Sequence, residues 1–192
     1  MKKILVLFAH PAIGRSEINR PMLGAARRLD GVTVVDLYAE YPDFDINIDQ
    51  EQERLLAHDV IVFQFPLYWY STPSLLKEWQ DLVLEYGFAY GKGGNKLAGK
   101  VFLTALTAGG SKEAYQKTGD NLFTIRELLQ PLEQTAHLCQ MTYLPPFVLF
   151  RSRSAQAEGR VASHVTEWTR LLTDLRDQQA DVPALRSLDR LR

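Results

Sequence analysis

Cysteine is almost missing: Cys139 is the only one among 192 residues. A disulfide framework is therefore excluded, and no Cys/His cluster has the spacing of a zinc site. The lone thiol fits a reducing cytosol and reads as a small core residue rather than a nucleophile. An excess of charge of either sign is also lacking, with 22 Lys and Arg against 23 Asp and Glu. No basic surplus exists to neutralise phosphates, so a nucleic-acid partner is not expected. Long apolar runs are lacking too. The first, Ile4–Ala9, ends at His10-Pro11 with no small-residue cleavage site after it, so it reads as a buried strand and not as a signal peptide. Nothing approaches the ~20 apolar residues of a membrane span. Hydrolase chemistry has no visible nucleophile, because neither G-x-S-x-G nor a Ser-His-Asp pattern occurs.

What is present is an alternation. Largely β-branched runs at Lys3–Ala9, Val32–Leu37, Val60–Phe65, Val101–Thr107 and around Thr142–Phe150, the last interrupted at Pro145-Pro146, read as strands. Helical periods fall at Glu17–Arg28, Ser74–Tyr86, Thr124–Cys139 and Ala155–Arg176. Ser74 is the expected N-cap of its helix, with Glu78 close to capping-box position. Strands alternating with helices predict a doubly wound α/β fold, a five-stranded parallel sheet of order 2-1-3-4-5 between two helical layers. One domain over residues 1–176 is expected, followed by a polar tail, 177–192, read as a disordered or docking segment.

Ligands of such sheets bind beyond the carboxyl ends of the strands, where strand order reverses. After strand one, Pro11, Gly14 and Ser16 shape a loop before a helix whose free N–H groups suit a phosphate, with Arg15 or His10 able to add charge. A plain turn with a serine cap reads equally well from this loop alone. After strand three, Leu67-Tyr68-Trp69-Tyr70 stands between Pro66 and Pro73. Such a stiff loop can hold a planar ring by backbone donors and aromatic surface, or serve as a core plug or subunit contact. After strand four, Thr107-Ala108-Gly109-Gly110 lets backbone approach a ligand closely, or is a flexible surface turn. Gly94–Lys100 imitates a nucleotide-hydrolase phosphate loop but ends in Val101 and runs into a strand, so it reads as a turn.

Ala9-His10-Pro11 with Ser16 and Asn19, Leu37-Tyr38, Tyr41-Pro42-Asp43-Phe44, Pro66–Tyr70, Leu76-Lys77-Glu78-Trp79 and Gly87-Phe88-Ala89-Tyr90-Gly91 carry a resemblance. Together they resemble the flavodoxin-like NAD(P)H:quinone oxidoreductases. The likeness is greatest to the short bacterial ancillary proteins of Kef-type, glutathione-gated potassium efflux. It spans about residues 3 to 175.

The resemblance implies a flavin, FMN with FAD as the alternative, and NAD(P)H as co-substrate. It places Ser16, Glu17, Ile18 and Asn19 on the flavin phosphate with His10 beside them. Leu67, Tyr68, Trp69 and Tyr70 fall on the isoalloxazine, and Thr107, Ala108, Gly109 and Gly110 on its pyrimidine edge. Tyr115 matches a tyrosine that contacts flavin and substrate, and is the implied catalytic residue. The histidine that larger members carry shortly after that tyrosine is replaced here by Thr118-Gly119-Asp120. The implied protein is a cytoplasmic homodimer reducing a quinone or other small electrophile. Its partner is a Kef-type potassium antiporter at the inner membrane, docked peripherally. Ser74–Tyr86 with Gly87–Gly91 is the expected dimer contact. A regulatory subunit with incidental redox activity is the competing reading.

Overall fold

The computed structural model describes residues 1–191. Strand β1 (Ile4–Phe8), β3 (Val60–Pro66) and β4 (Val101–Thr107) are buried along their whole length, which is why they read as largely apolar runs. β2 (Val32–Asp36) lies at the edge and is only partly buried. The sheet is parallel, in the order β2-β1-β3-β4, and its last position is shared by two pieces. β5 (Thr142–Tyr143) pairs with Val101 and Phe102 at the start of β4. β6 (Phe147–Leu149) pairs with Ala105–Thr107 at its end. Pro145-Pro146 separates them, since neither proline can donate to the ladder. The predicted five-strand order stands, and the interruption makes six strands.

Helices α1 (Asn19–Ala26) and α7 (Arg160–Arg176) cover one face, packing Ile18, Met22, Trp168, Leu171 and Leu172 on Ile4, Val6 and Val62. On the other face lie α3 (Ile48–Ala57), α4 (Ser74–Val83) and α6 (Gln130–Leu138). They bury Leu55, Leu75, Trp79 and Leu132 against Leu5, Phe63 and Phe102. α2 (Leu37–Glu40) and α5 (Ile125–Leu128) are single turns, α5 closed by a Thr124–Glu127 capping box.

Several expectations need correction. Ser74 does not cap α4: Pro73 holds the cap position, no side-chain bond caps the helix, and Glu78 closes no box. The single helix expected over Thr124–Cys139 is two, because Pro131 restarts the chain after Leu129. α7 begins only after Gly159, whose left-handed φ of 67° breaks any continuation from Ala155. The tail is not an unpacked appendage. It forms α8 (Val182–Arg186) and returns Leu191, 1% exposed, onto β6. There the Leu191 N–H donates to the Pro146 carbonyl at 2.9 Å. Arg192 of that tail lies outside the described residues.

Candidate flavin site

The loops after β1, β3 and β4 meet above the carboxyl ends of the sheet, and four interactions bind them to one another. The buried Asn19 amide donates to the Thr107 hydroxyl at 3.2 Å, joining the first loop to the third. The Leu67 N–H donates to the Thr107 carbonyl at 2.9 Å, joining the second to the third. The Tyr68 ring stands edge-on to the His10 ring, 6.2 Å between centroids. The Tyr70 hydroxyl donates to Asn121 Oδ1 at 3.1 Å. The residues expected on three separate loops therefore form one constellation.

In the first loop a 3-10 turn, Ile13–Arg15, leads to Ser16, whose Oγ accepts the Asn19 N–H at 3.0 Å. Ser16 thus does a cap's work three residues ahead, although the helix proper starts at Asn19. The Glu17 and Ile18 N–H groups have no acceptor among the described residues and open toward the helix start. Glu17 is exposed, while the Ile18 side chain is core. His10 is not the cation the sequence allowed. It is buried, burial holds its imidazole below the ordinary range, and Nδ1 accepts the Ala12 N–H at 3.0 Å. The neutral ring is left with its proton on Nε2, a donor without charge. Arg15, exposed and without an ion-pair partner among the described residues, remains as the loop's positive charge.

In the second loop Tyr68 and Ser71 exchange both backbone bonds, at 3.1 and 3.0 Å. Trp69 and Tyr70 bridge them with φ of 47° and 65°. This is a two-residue turn of the primed kind, normally built from Asn and Gly. Two bulky residues in the left-handed region cost about 1–3 kcal/mol each. Their N–H groups have no acceptor among the described residues, and the Trp69 side chain is 90% exposed.

In the third loop only part of the expected donor set is available. The Ala108 N–H is taken by the Leu149 carbonyl at 2.9 Å, whereas the Gly109 N–H is unpaired among the described residues. Gly109 has no left-handed φ, and a Cβ added to it would meet nothing within 4 Å. Gly110 is different: a Cβ there would lie 3.0 Å from Cε2 of Tyr115. The Tyr115 phenol, on a residue 7% exposed, is pushed up by burial and by the Tyr70 phenol, against the pull of the Gly110 N–H. Sequence reasoning missed Gln64 and Asn121. Gln64 is fully buried within β3 and donates to the Asn19 carbonyl at 3.3 Å. A single polar residue inside the run Val60–Phe65 was its signal.

The arrangement suits a flavin phosphate and ring. Unpaired backbone donors at Glu17 and Ile18 match phosphate oxygens, and those at Trp69, Tyr70 and Gly109 match the electron-rich edge of a planar heterocycle. A model of the flavodoxin-like fold family matches residues 2–172. The chain belongs to that family. It is 48% identical over 172 residues to the glutathione-regulated potassium-efflux system ancillary protein KefG of Cronobacter sakazakii, covering 90% of this chain and 93% of that one. Two solved structures resemble it closely. General stress protein 14 of Treponema denticola, in complex with FMN, has a TM-score of 0.85 at 37% identity, covering 90% of this chain and 99% of that one. An NADPH-quinone reductase from P. pentosaceus has a TM-score of 0.78 at 32% identity, covering 88% and 96%. No helix of the described residues is long and apolar enough to cross a membrane.

Proposed function

We propose that this member of the flavodoxin-like family is an FMN-dependent NAD(P)H:quinone oxidoreductase. The observation that carries the proposal is the convergence of three loops whose unpaired N–H groups fit a phosphate at one end and a ring edge at the other. FMN rather than FAD is favoured by the FMN complex of the Treponema relative. The quinone acceptor is favoured by the reductase among the structural relatives.

When bound, FMN would accept a hydride from the nicotinamide and pass two electrons to the acceptor, which also takes up two protons. The chain's own residues would position it. Glu17, Ile18 and Ser16 hold the phosphate, with Arg15 adding charge. His10 lends a neutral Nε2–H. Trp69 and Tyr70 cradle the ring, and Gly109 faces its pyrimidine edge. Tyr115, protonated at neutral pH, keeps its phenolic hydrogen for donation beside Gly110.

The test is release of the bound flavin and its chromatographic identification, followed by steady-state kinetics at several acceptor concentrations. FMN and parallel double-reciprocal lines are expected, because donor and acceptor use one site in turn. A protein that cannot be reconstituted with either flavin overturns the reading. Intersecting lines overturn the shared site.

A second reading, regulation of a Kef-type antiporter by a homodimer docked on the cytoplasmic side of the membrane, is favoured by the KefG relative. The exposed Tyr86 beside α4 supplies apolar surface for the dimer contact. Tyr115→Phe, with hydride transfer slowed and flavin retained, should still activate potassium efflux if docking is the signal. Efflux falling in proportion to turnover would make the activity the signal.

A further inference from the structure

Tyr115 has a second neighbourhood. A cavity of about 480 Å³ opens beside it, within the size range of small-molecule sites. Its aromatic wall is Tyr115 and Phe150, 5.8 Å between centroids and tilted by 44°. Ile125 and, from the C-terminal segment, Leu185 and Leu188 complete an apolar lining. Three cationic side chains line it, Lys112, Arg126 and Arg190, against one carboxylate, Asp189.

The cations are not equivalent. Arg126 is spent: it donates to both oxygens of Glu133, at 2.7 and 3.2 Å, and to the Leu188 carbonyl at 3.1 Å. Asp189 adds its field to the same guanidinium, which Glu133 already holds charged. Lys112 and Arg190 pair with no carboxylate and donate no side-chain hydrogen bond among the described residues. Arg190 is held by the Phe150 face instead, its guanidinium carbon 5.8 Å from the ring centroid. A guanidinium parked on an aromatic face keeps its donors for an oxyanion.

We propose that this cavity is a second ligand site, beside the flavin cradle, for a small aromatic anion such as an arene carboxylate or sulfonate. The ring would lie among Tyr115, Phe150, Ile125 and the leucines, and the anionic group between Lys112 and Arg190. Four of the lining residues, Leu185, Leu188, Asp189 and Arg190, lie beyond residue 172, where the family-wide match ends. The outer wall is therefore a property of this chain's own C-terminal segment, clamped by Leu191 on β6 and by Arg126 on Leu188. The site stands whether or not the redox reading does, because nothing in it requires a flavin.

Titration calorimetry of the protein, as purified and after saturation with FMN, would use naphthalene sulfonate against the neutral naphthol. The sulfonate should bind at least about tenfold tighter, and weaken as salt rises from about 50 mM to about 500 mM. Lys112→Glu, at a position without a side-chain partner, and Arg190→Glu, which gives up only the stacking on Phe150, should each weaken it at least about fivefold and leave naphthol binding unmoved. Equal binding of the two probes overturns the proposal. So does indifference to both charge reversals. Displacement of the sulfonate by FMN would place it in the flavin cradle and overturn the second site while leaving the flavin reading intact.

Discussion

Two tryptophans ten residues apart, Trp79 and Trp69, show how differently this chain treats the same side chain. Trp79 on α4 is fully buried, and its indole donates to Glu51 Oε2 at 2.9 Å. The other oxygen of Glu51 accepts the Tyr41 hydroxyl at 2.6 Å and an Arg54 N–H, and Arg54 reaches on to Glu40 at 2.8 Å. Both Glu51 oxygens, the Trp79 indole and the Tyr41 hydroxyl find their partners inside the protein. Trp69 has no such partners, stands in solvent, and sits on a strained backbone. In the neighbouring loop and at the end of β3, the buried Asn19 Oδ1 and Gln64 Oε1 accept nothing from the described residues. One cluster is complete in the protein alone. The other is left with backbone strain and unmet hydrogen bonds, the two features that the proposed flavin would answer.

The largest effect should come from breaking the complete cluster. Glu51→Ala leaves an indole, a phenol and part of a guanidinium without their buried acceptor. It should lower the unfolding free energy by about 3–5 kcal/mol. Urea denaturation measures this, and flavin affinity in the remaining folded fraction should be unchanged. A loss below about 1 kcal/mol would mean that water replaces the carboxylate easily and that the two clusters do not differ as described.

A second prediction sharpens the comparison by asking what an unpartnered buried atom costs away from any loop site. His164 on α7 is buried, stacked on Phe147 at 4.4 Å, and its Nε2 has no partner among the described residues. Burial, with the nearby Arg160 charge, pushes its imidazole down to about 4 from the ordinary 6.5. The unfolded chain therefore takes up a proton near pH 6.5 that the folded chain refuses until about pH 4. Stability should fall as pH drops through that window, by roughly 3 kcal/mol at its lower end. His164→Phe should remove that slope from the pH dependence of urea midpoints. An unchanged slope would assign it to other groups.

The smallest effect has two signs. Replacing Trp69 and Tyr70 together by glycine relieves the left-handed strain at some cost in chain entropy. It should raise stability by about 1 kcal/mol. The same change removes aromatic surface from the ring and should weaken flavin binding about fivefold, read by fluorescence titration. If stability and flavin affinity move in the same direction, the turn is not held in tension for a ligand.

The sequence revealed the parts of the fold governed by apolar pattern. β1, β3 and β4 were legible because burial on both faces leaves few polar residues to blur them: Gln64 in β3, and Thr104 and Thr107 in β4. α1 was legible because Ile18, Met22, Ala25 and Ala26 recur at helical spacing, and all four are buried. α3 escaped notice because one of its two buried residues is the charged Glu51, which leaves Leu55 too little company for a search by apolar periodicity. The positions of the site loops followed from strand order alone. The primed turn at Trp69-Tyr70 did not, since neither residue signals a positive φ. Nor did the loss of Ala108 as a donor, which depends on Leu149 from a strand more than 40 residues away. The packed tail had its signal in Leu185, Leu188 and Leu191, outweighed by the charges between them.

The way Leu191 lies along β6 carries a practical consequence for handling the protein. The outermost strand is short, broken by two prolines, and covered at Phe147 by Leu191, which leaves fewer ladder groups there for a neighbouring molecule to pair with. A charged side chain at that position, as in Leu191→Asp, would lift the cover, loosening β6 and inviting edge-to-edge aggregation during concentration and storage.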